Sequence, residues 1–155
     1  MIGGTTRAKV HINASKERVF RAFIDPEAVK KWRFPEGMAI TVHEFDGRQG
    51  GYFRISLTYT TGKGKGKTTA DTDTYHGRFL RLVPNEQIVE VDEFEADDPA
   101  LAGRMMITVT LTDHAGGTDV LAVHKGVPKG VSPDDNEIVW RTALKKLADY
   151  LETDE

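Results

Sequence analysis

The chain has 155 residues, with 21 Lys plus Arg against 24 Asp plus Glu and a formal net charge of −3. That length suits one domain with a core of its own, and the slight acidity disfavours a nucleic-acid binder that relies on bulk positive charge. Cysteine is absent, which excludes disulfides, thiol catalysis and thiolate metal sites.

The first residues hold no basic segment followed by an apolar stretch, so no secretory signal is expected. No window approaches the ~18 apolar residues of a membrane span, and a cytoplasmic location is the default expectation. Residues 6–13 alternate, with Ala8, Val10 and Ile12 on one face and Arg7, Lys9, His11 and Asn13 on the other, which predicts a half-buried strand. Ser15 reads as the N-cap of a helix running to about Ile24, with Val19, Phe20 and Phe23 as its apolar stripe. Asp25-Pro26 restarts a short helix, Asp25 as cap and Pro26 in the first turn, ending near Trp32. The continuation Arg33–Gly37 reads as a loop from its Pro and Gly.

From Met38 to His124 the pattern is that of strands. Met38–Phe45 closes at Asp46-Gly47. Gly51–Tyr59 places Phe53, Ile55, Leu57 and Tyr59 on one face, Tyr52, Arg54, Ser56 and Thr58 on the other. Thr72–Val83 is a long strand whose Gly77 suggests a bulge. Gln87–Glu95, Arg104–Thr112 and Thr118–His124 follow, with Gly116-Gly117 as a hairpin turn. The last segment is the strongest helix. Ser132 caps it, Pro133 opens it, Asp134 and Asp135 suit its positive end, and Trp140, Leu144, Leu147, Ala148 and Leu151 form one stripe.

The order β-α-α-β6-α implies an α+β fold in one domain, residues 1–155 with a core of about 6–151. Six strands on short links make an antiparallel sheet, which the first strand joins at an edge. A lone amphipathic helix must bury its stripe, so the sheet curves around it, leaving space between them. The two short helices would close one end of that space.

This pattern resembles the helix-grip fold of the START-like or SRPBCC superfamily, which includes the birch pollen allergen. Within it the chain is most similar to the AHSA-type family, named after the C-terminal domain of the activator of a heat-shock chaperone's ATPase. The resemblance rests on Ala14–Phe20, Asp25-Pro26-Glu27 leading to Lys31-Trp32, Gly50–Phe53, Tyr75-His76-Gly77 leading through Leu82 to Pro84, and Trp140 with Leu144 and Leu147. Two positions depart from the family pattern: Val139 stands where a Gly precedes the helix Trp, and Asp92 where an aromatic is common. The resemblance implies a cavity for apolar small molecules and a link to stress response, but no shared catalytic machinery.

Candidate sites follow from the residues themselves. Thr61–Thr68 invites a phosphate-loop reading, but Thr61 stands where the first Gly belongs and the segment joins two strands; a solvated hairpin loop is preferred. Glu86 to Asp98 holds seven carboxylates and no Lys or Arg, with Glu90 and Asp92 in phase with Ile88 and Phe94. If that face lines the cavity, the two carboxyls stand about 6.7 Å apart along the strand and form an acid/base pair. The opposite phase turns Val89 and Val91 inward, and burial preferences of Asp and Glu favour it. The five histidines show no metal-ligand spacing, so no metal or cofactor is expected. His76 and His124 fall near strand positions that a cavity would use. The three serines read as two caps and one mid-strand residue, none in a nucleophile elbow.

The expected ligand-lining residues are Trp32 at a cavity mouth, Tyr52, Arg54 as an orienting charge, Tyr75, His76, Glu90, Asp92, Met106 and Trp140, with Trp140 and Phe94 also read as core filling. The leading expectation is a non-catalytic binder of a small apolar or amphipathic molecule. The alternatives are a cyclase-, dehydratase- or hydrolase-type enzyme using Glu90, Asp92 or His76, and a domain that docks on a chaperone or another protein. Sheet edges offer a route to a homodimer.

Overall fold

The computed structural model describes residues 4–34, 37–59, 72–96 and 99–153. The side chain of Tyr59 and the lysine-rich loop Thr61–Thr68 lie outside the described residues. The chain runs β1 (Gly4–Ile12), α1 (Lys16–Ile24), α2 (Pro26–Trp32), β2 (Met38–Phe45), β3 (Tyr52–Tyr59), β4 (Thr72–Val83), β5 (Gln87–Phe94), a 3₁₀ turn at Pro99–Leu101, β6 (Met105–His114), β7 (Gly117–Val127) and α3 (Pro133–Thr153).

The seven strands form one antiparallel sheet in the order β1-β7-β6-β5-β4-β3-β2. Strands β2 to β7 are each bonded to the next in the chain, as short links require, and β1 closes the far edge against β7. Alternation decides what each strand buries. Met105, Ile107, Val109 and Leu111 of β6 are buried, whereas Met106 between them is exposed. Phe53 and Ile55 turn inward from β3 in the same way.

The helices start where the caps predict. Ser15 Oγ accepts the Arg18 amide at 3.2 Å, and Asp25 Oδ1 accepts that of Glu27 at 3.0 Å. Ser132 Oγ accepts the Asp135 amide at 3.3 Å. The buried stripe of α3 is Trp140, Ala143, Leu144, Leu147, Ala148 and Leu151, and α3 approaches the sheet most closely at β1. Arg18 donates to the Leu151 carbonyl at 2.7 Å, which ties α1 to the end of α3.

Register irregularities fall at Gly4/Thr5, Val42/Glu44 and Phe79/Arg81. The bulge expected at Gly77 is therefore displaced. Gly77 pairs regularly with Phe53 on one side and Asp92 on the other. Its missing side chain serves a close approach instead: a Cβ there would meet the Val91 carbonyl, Phe53 Cζ at 2.6 Å and Asp92 Oδ1 at 2.8 Å. Gly77→Ala should therefore lower stability by about 2–3 kcal/mol, an overpacking cost that urea unfolding will measure.

Candidate functional site

Strand β5 turns Ile88, Glu90 and Asp92 inward and leaves Val89 and Val91 half-buried. This reverses the phase that burial preferences favour. The physical reason is a cation: Arg33, just past α2, is itself buried and donates to both oxygens of Glu90, at 3.0 and 2.7 Å. A two-pronged guanidinium–carboxylate pair satisfies the groups that burial would otherwise leave bare. Asp92 Oδ2 lies 3.5 Å from the same guanidinium.

Arg33 is held from both sides. Trp32 is fully buried, its ring edge-on to Phe23 at 4.7 Å and its Nε1 donating to the Ala22 carbonyl at 2.9 Å. The Arg33 amide donates to Val29 O at 3.0 Å, and the Phe34 carbonyl accepts from Lys146 Nζ at 2.6 Å. The guanidinium carbon stands 5.2 Å from the centre of the Trp140 ring, within cation–π range.

One cation faces two carboxyls, and their titration separates accordingly. Burial opposes ionisation of Glu90, but the Arg33 charge and hydrogen bonds outweigh it and hold Glu90 below the usual carboxylate range. Burial and the neighbouring Glu90 charge push Asp92 well above that range. Burial likewise works against the Arg33 charge, and Glu90 more than restores it. Burial pushes the Tyr75 hydroxyl up, and lowers His124 to about 4, so that the imidazole is neutral at pH 7.

These groups surround a pocket of about 380 Å³. Arg33, Tyr75, Asp92 and His124 supply polar wall, and Phe34, Leu57, Phe94, Ile107, Trp140 and Ala143 supply apolar wall. Tyr75 Oη, Asp92 Oδ1 and His124 Nε2 are buried without a hydrogen-bond partner in the protein. Buried polar atoms are nearly always paired, so three around one pocket call for an explanation.

Of the nine residues expected to line a cavity, Tyr75, Asp92 and Trp140 do so. Glu90 sits behind the wall, engaged by Arg33. Trp32 is a core residue rather than a mouth residue, because its indole satisfies itself on α1. Tyr52, Arg54, His76 and Met106 belong to the opposite face of the sheet, which the two-residue strand period assigns them. There Arg54 forms a two-pronged pair with Glu95 at 2.9 Å, and His76 Nδ1 meets Glu95 Oε2 at 2.9 Å and stacks on Tyr52 at 6.1 Å. The Arg54 hydrogen bonds bring Glu95 down to about 2. Arg33 was missed because its loop position reads as solvated; a charge between two aromatics, Trp32 and Phe34, was the signal available. No group of three or more His, Asp or Glu among the described residues is placed to hold a metal, and no described helix is long and apolar enough to cross a membrane.

A seven-stranded antiparallel sheet wrapped on a C-terminal helix, with two short helices between the first two strands, is the helix-grip architecture. The model of the family described as activator of Hsp90 ATPase homolog 1-like protein matches residues 13–152, and the chain belongs to that family. A crystal structure of a protein from Chromobacterium violaceum is 36% identical over 96% of each chain, with a TM-score of 0.84. A Rhizobium loti protein is 26% identical, covering 97% of this chain and 99% of that one, with a TM-score of 0.76. A Rhodobacter sphaeroides protein shares the fold at 20% identity, covering 100% of this chain and 99% of that one, with a TM-score of 0.79. No curated protein sequence matches the chain.

Arg33→Met leaves Glu90 buried without its counter-charge, so it should cost about 3–5 kcal/mol at neutral pH. Thermal or urea melts should show that loss shrinking toward pH 4, as Glu90 takes a proton. Asp92 gives a second test. It titrates near 3.9 when unfolded but keeps its proton to higher pH when folded. The folded state thus binds more protons above that pH, and stability from this group erodes as pH rises. Asp92→Asn keeps the shape of the acid form. It should gain stability relative to the wild type between about pH 4 and 8 in parallel urea melts; the opposing titration of His124 is common to both proteins.

Proposed function

We propose that the chain binds a small, mostly apolar molecule in the pocket between α3 and the sheet. The observation that carries this reading is an apolar-walled hollow of about 380 Å³, three of whose lining residues hold a buried, unpartnered polar atom. Ligand sites typically measure about 300–1,000 Å³ and combine apolar walls with a few converging polar groups. Membership of the family supports it too, since the fold is compatible with a ligand-binding domain.

A catalytic reading has less support. Of its three expected groups, His76 lies on the outer face, Glu90 is occupied by Arg33, and Asp92 alone lines the pocket. The family description names an activator of a chaperone ATPase, so docking on a chaperone is the alternative that a non-binding pocket would favour.

The neutral fluorophore N-phenyl-1-naphthylamine should brighten on binding and quench Trp140 at the pocket wall. Ala143→Leu narrows the pocket and Val139→Trp, at a half-exposed rim position, closes its mouth. Each should weaken binding about tenfold or more, with circular dichroism confirming the fold. Absence of any binding to the wild type would refute the reading.

A further inference from the structure

The polar wall of the pocket has a direction. Asn136 Nδ2 donates to Thr6 Oγ1 at 2.9 Å and stands 3.0 Å from His124 Nδ1. An amide nitrogen offers only protons, so His124 Nδ1 accepts, and the single proton of the neutral ring sits on Nε2. His124 Nε2 is therefore a buried donor with no protein partner. Tyr75 Oη, on β4 and separated from β7 by two strands, is likewise buried with no protein partner, and its hydroxyl can donate. The third unpartnered atom, Asp92 Oδ1, is turned onto Gly77, where a Cβ would stand 2.8 Å away.

Charge narrows the class further. A buried arginine in a pocket usually signals a carboxylate ligand. Here both terminal nitrogens of Arg33 are engaged by Glu90, and Asp92 lies beside them. Among the described residues, the remaining ionisable groups on the wall are Asp73 from β4 and Asp135 from α3, both acidic. A ligand carboxylate would add a further negative charge to a wall whose one cation among the described residues, Arg33, is already matched by Glu90. A ligand ammonium would set its protons against His124 Nε2–H and lose its hydration to a mostly apolar wall.

Resting on the ligand-binding reading, we propose that the pocket selects uncharged molecules that carry an accepting oxygen, a ketone- or ester-type carbonyl, which Tyr75 Oη meets as donor, with His124 Nε2 open to a second acceptor of a longer ligand. The same arrangement discriminates against carboxylates, including fatty acids, and against amines.

The test is displacement of N-phenyl-1-naphthylamine at pH 7 by four probes of one shape: 2-acetylnaphthalene, 2-ethylnaphthalene, 2-naphthoate and 2-naphthylmethylamine. The ketone should displace at about one-tenth the concentration the hydrocarbon needs, a factor expected from one buried hydrogen bond. The acid and the amine should be weaker than the ketone. Tyr75→Phe, which removes an oxygen bonded to nothing in the protein, should cut the ketone's advantage over the hydrocarbon, both measured in the same variant, to about threefold or less. A hydrocarbon equal to the ketone, an acid or amine stronger than it, or an undiminished ketone advantage in Tyr75→Phe would each overturn the proposal while the ligand-binding reading stood. Failure of the fluorophore itself to bind the wild type would instead remove that reading and this proposal with it.

Discussion

A guanidinium removed from water sets the terms for this fold's interior. Taking an arginine into a low-dielectric core costs several kcal/mol even after relaxation, and only well-aligned partners offset it. Arg33 has them: both oxygens of Glu90, a second carboxyl nearby and the face of Trp140. The two carboxyls come from β5 and the ring from α3, so α2, β5 and α3 must all be in register for the charge to be tolerated. The pair adds little net stability of its own; what it does is link the end of α2 to the centre of the sheet.

The same constraint shapes the surrounding strands. Ile88, Glu90 and Asp92 point inward on β5 because a cation waits at that depth, and the valines between them are left half-buried. Asp92 then needs room on the β4 side, and Gly77 supplies it by lacking a side chain. Arg33 is the cation that the two carboxyls share, and Asp92 is driven toward its acid form by burial and by Glu90. The interior polar cluster is thus close to neutral, which is the condition under which it can border an apolar hollow.

The two faces of the sheet carry different chemistry from alternate residues of the same strands. Outside, Arg54, His76 and Glu95 form a network across β3, β4 and the end of β5, where water screens it and its contribution to stability is small. Inside, Tyr75, Asp92 and His124 keep buried polar atoms unpartnered around the pocket. A one-residue slip in any of these strands would exchange the two sets. The family's helix-grip architecture positions the hollow, while its polar character comes from Arg33, Asp92 and His124.

Local rules suffice for the elements. Ser15, Asp25 and Ser132 mark helix starts, Asp46-Gly47 and Gly116-Gly117 mark turns, and the alternation of β3 and β6 assigns their faces, because caps, turns and period-2 burial act within a few residues. The stripe of Trp140, Leu144, Leu147 and Leu151 likewise requires a partner surface, and a run of hairpin-linked strands is the surface available. The phase of β5 was not legible this way, since Glu90 and Asp92 are 57 and 59 residues from the arginine that draws them in and hydropathy alone turns them outward. Nor was the placement of Tyr52, Arg54, His76 and Met106 on the outer face, or the clasp of Asn136 on His124 that fixes which ring nitrogen carries the proton. Those are properties of long-range juxtaposition: a charge finds its counter-charge, and a ring its donor, only after the sheet has closed around the helix.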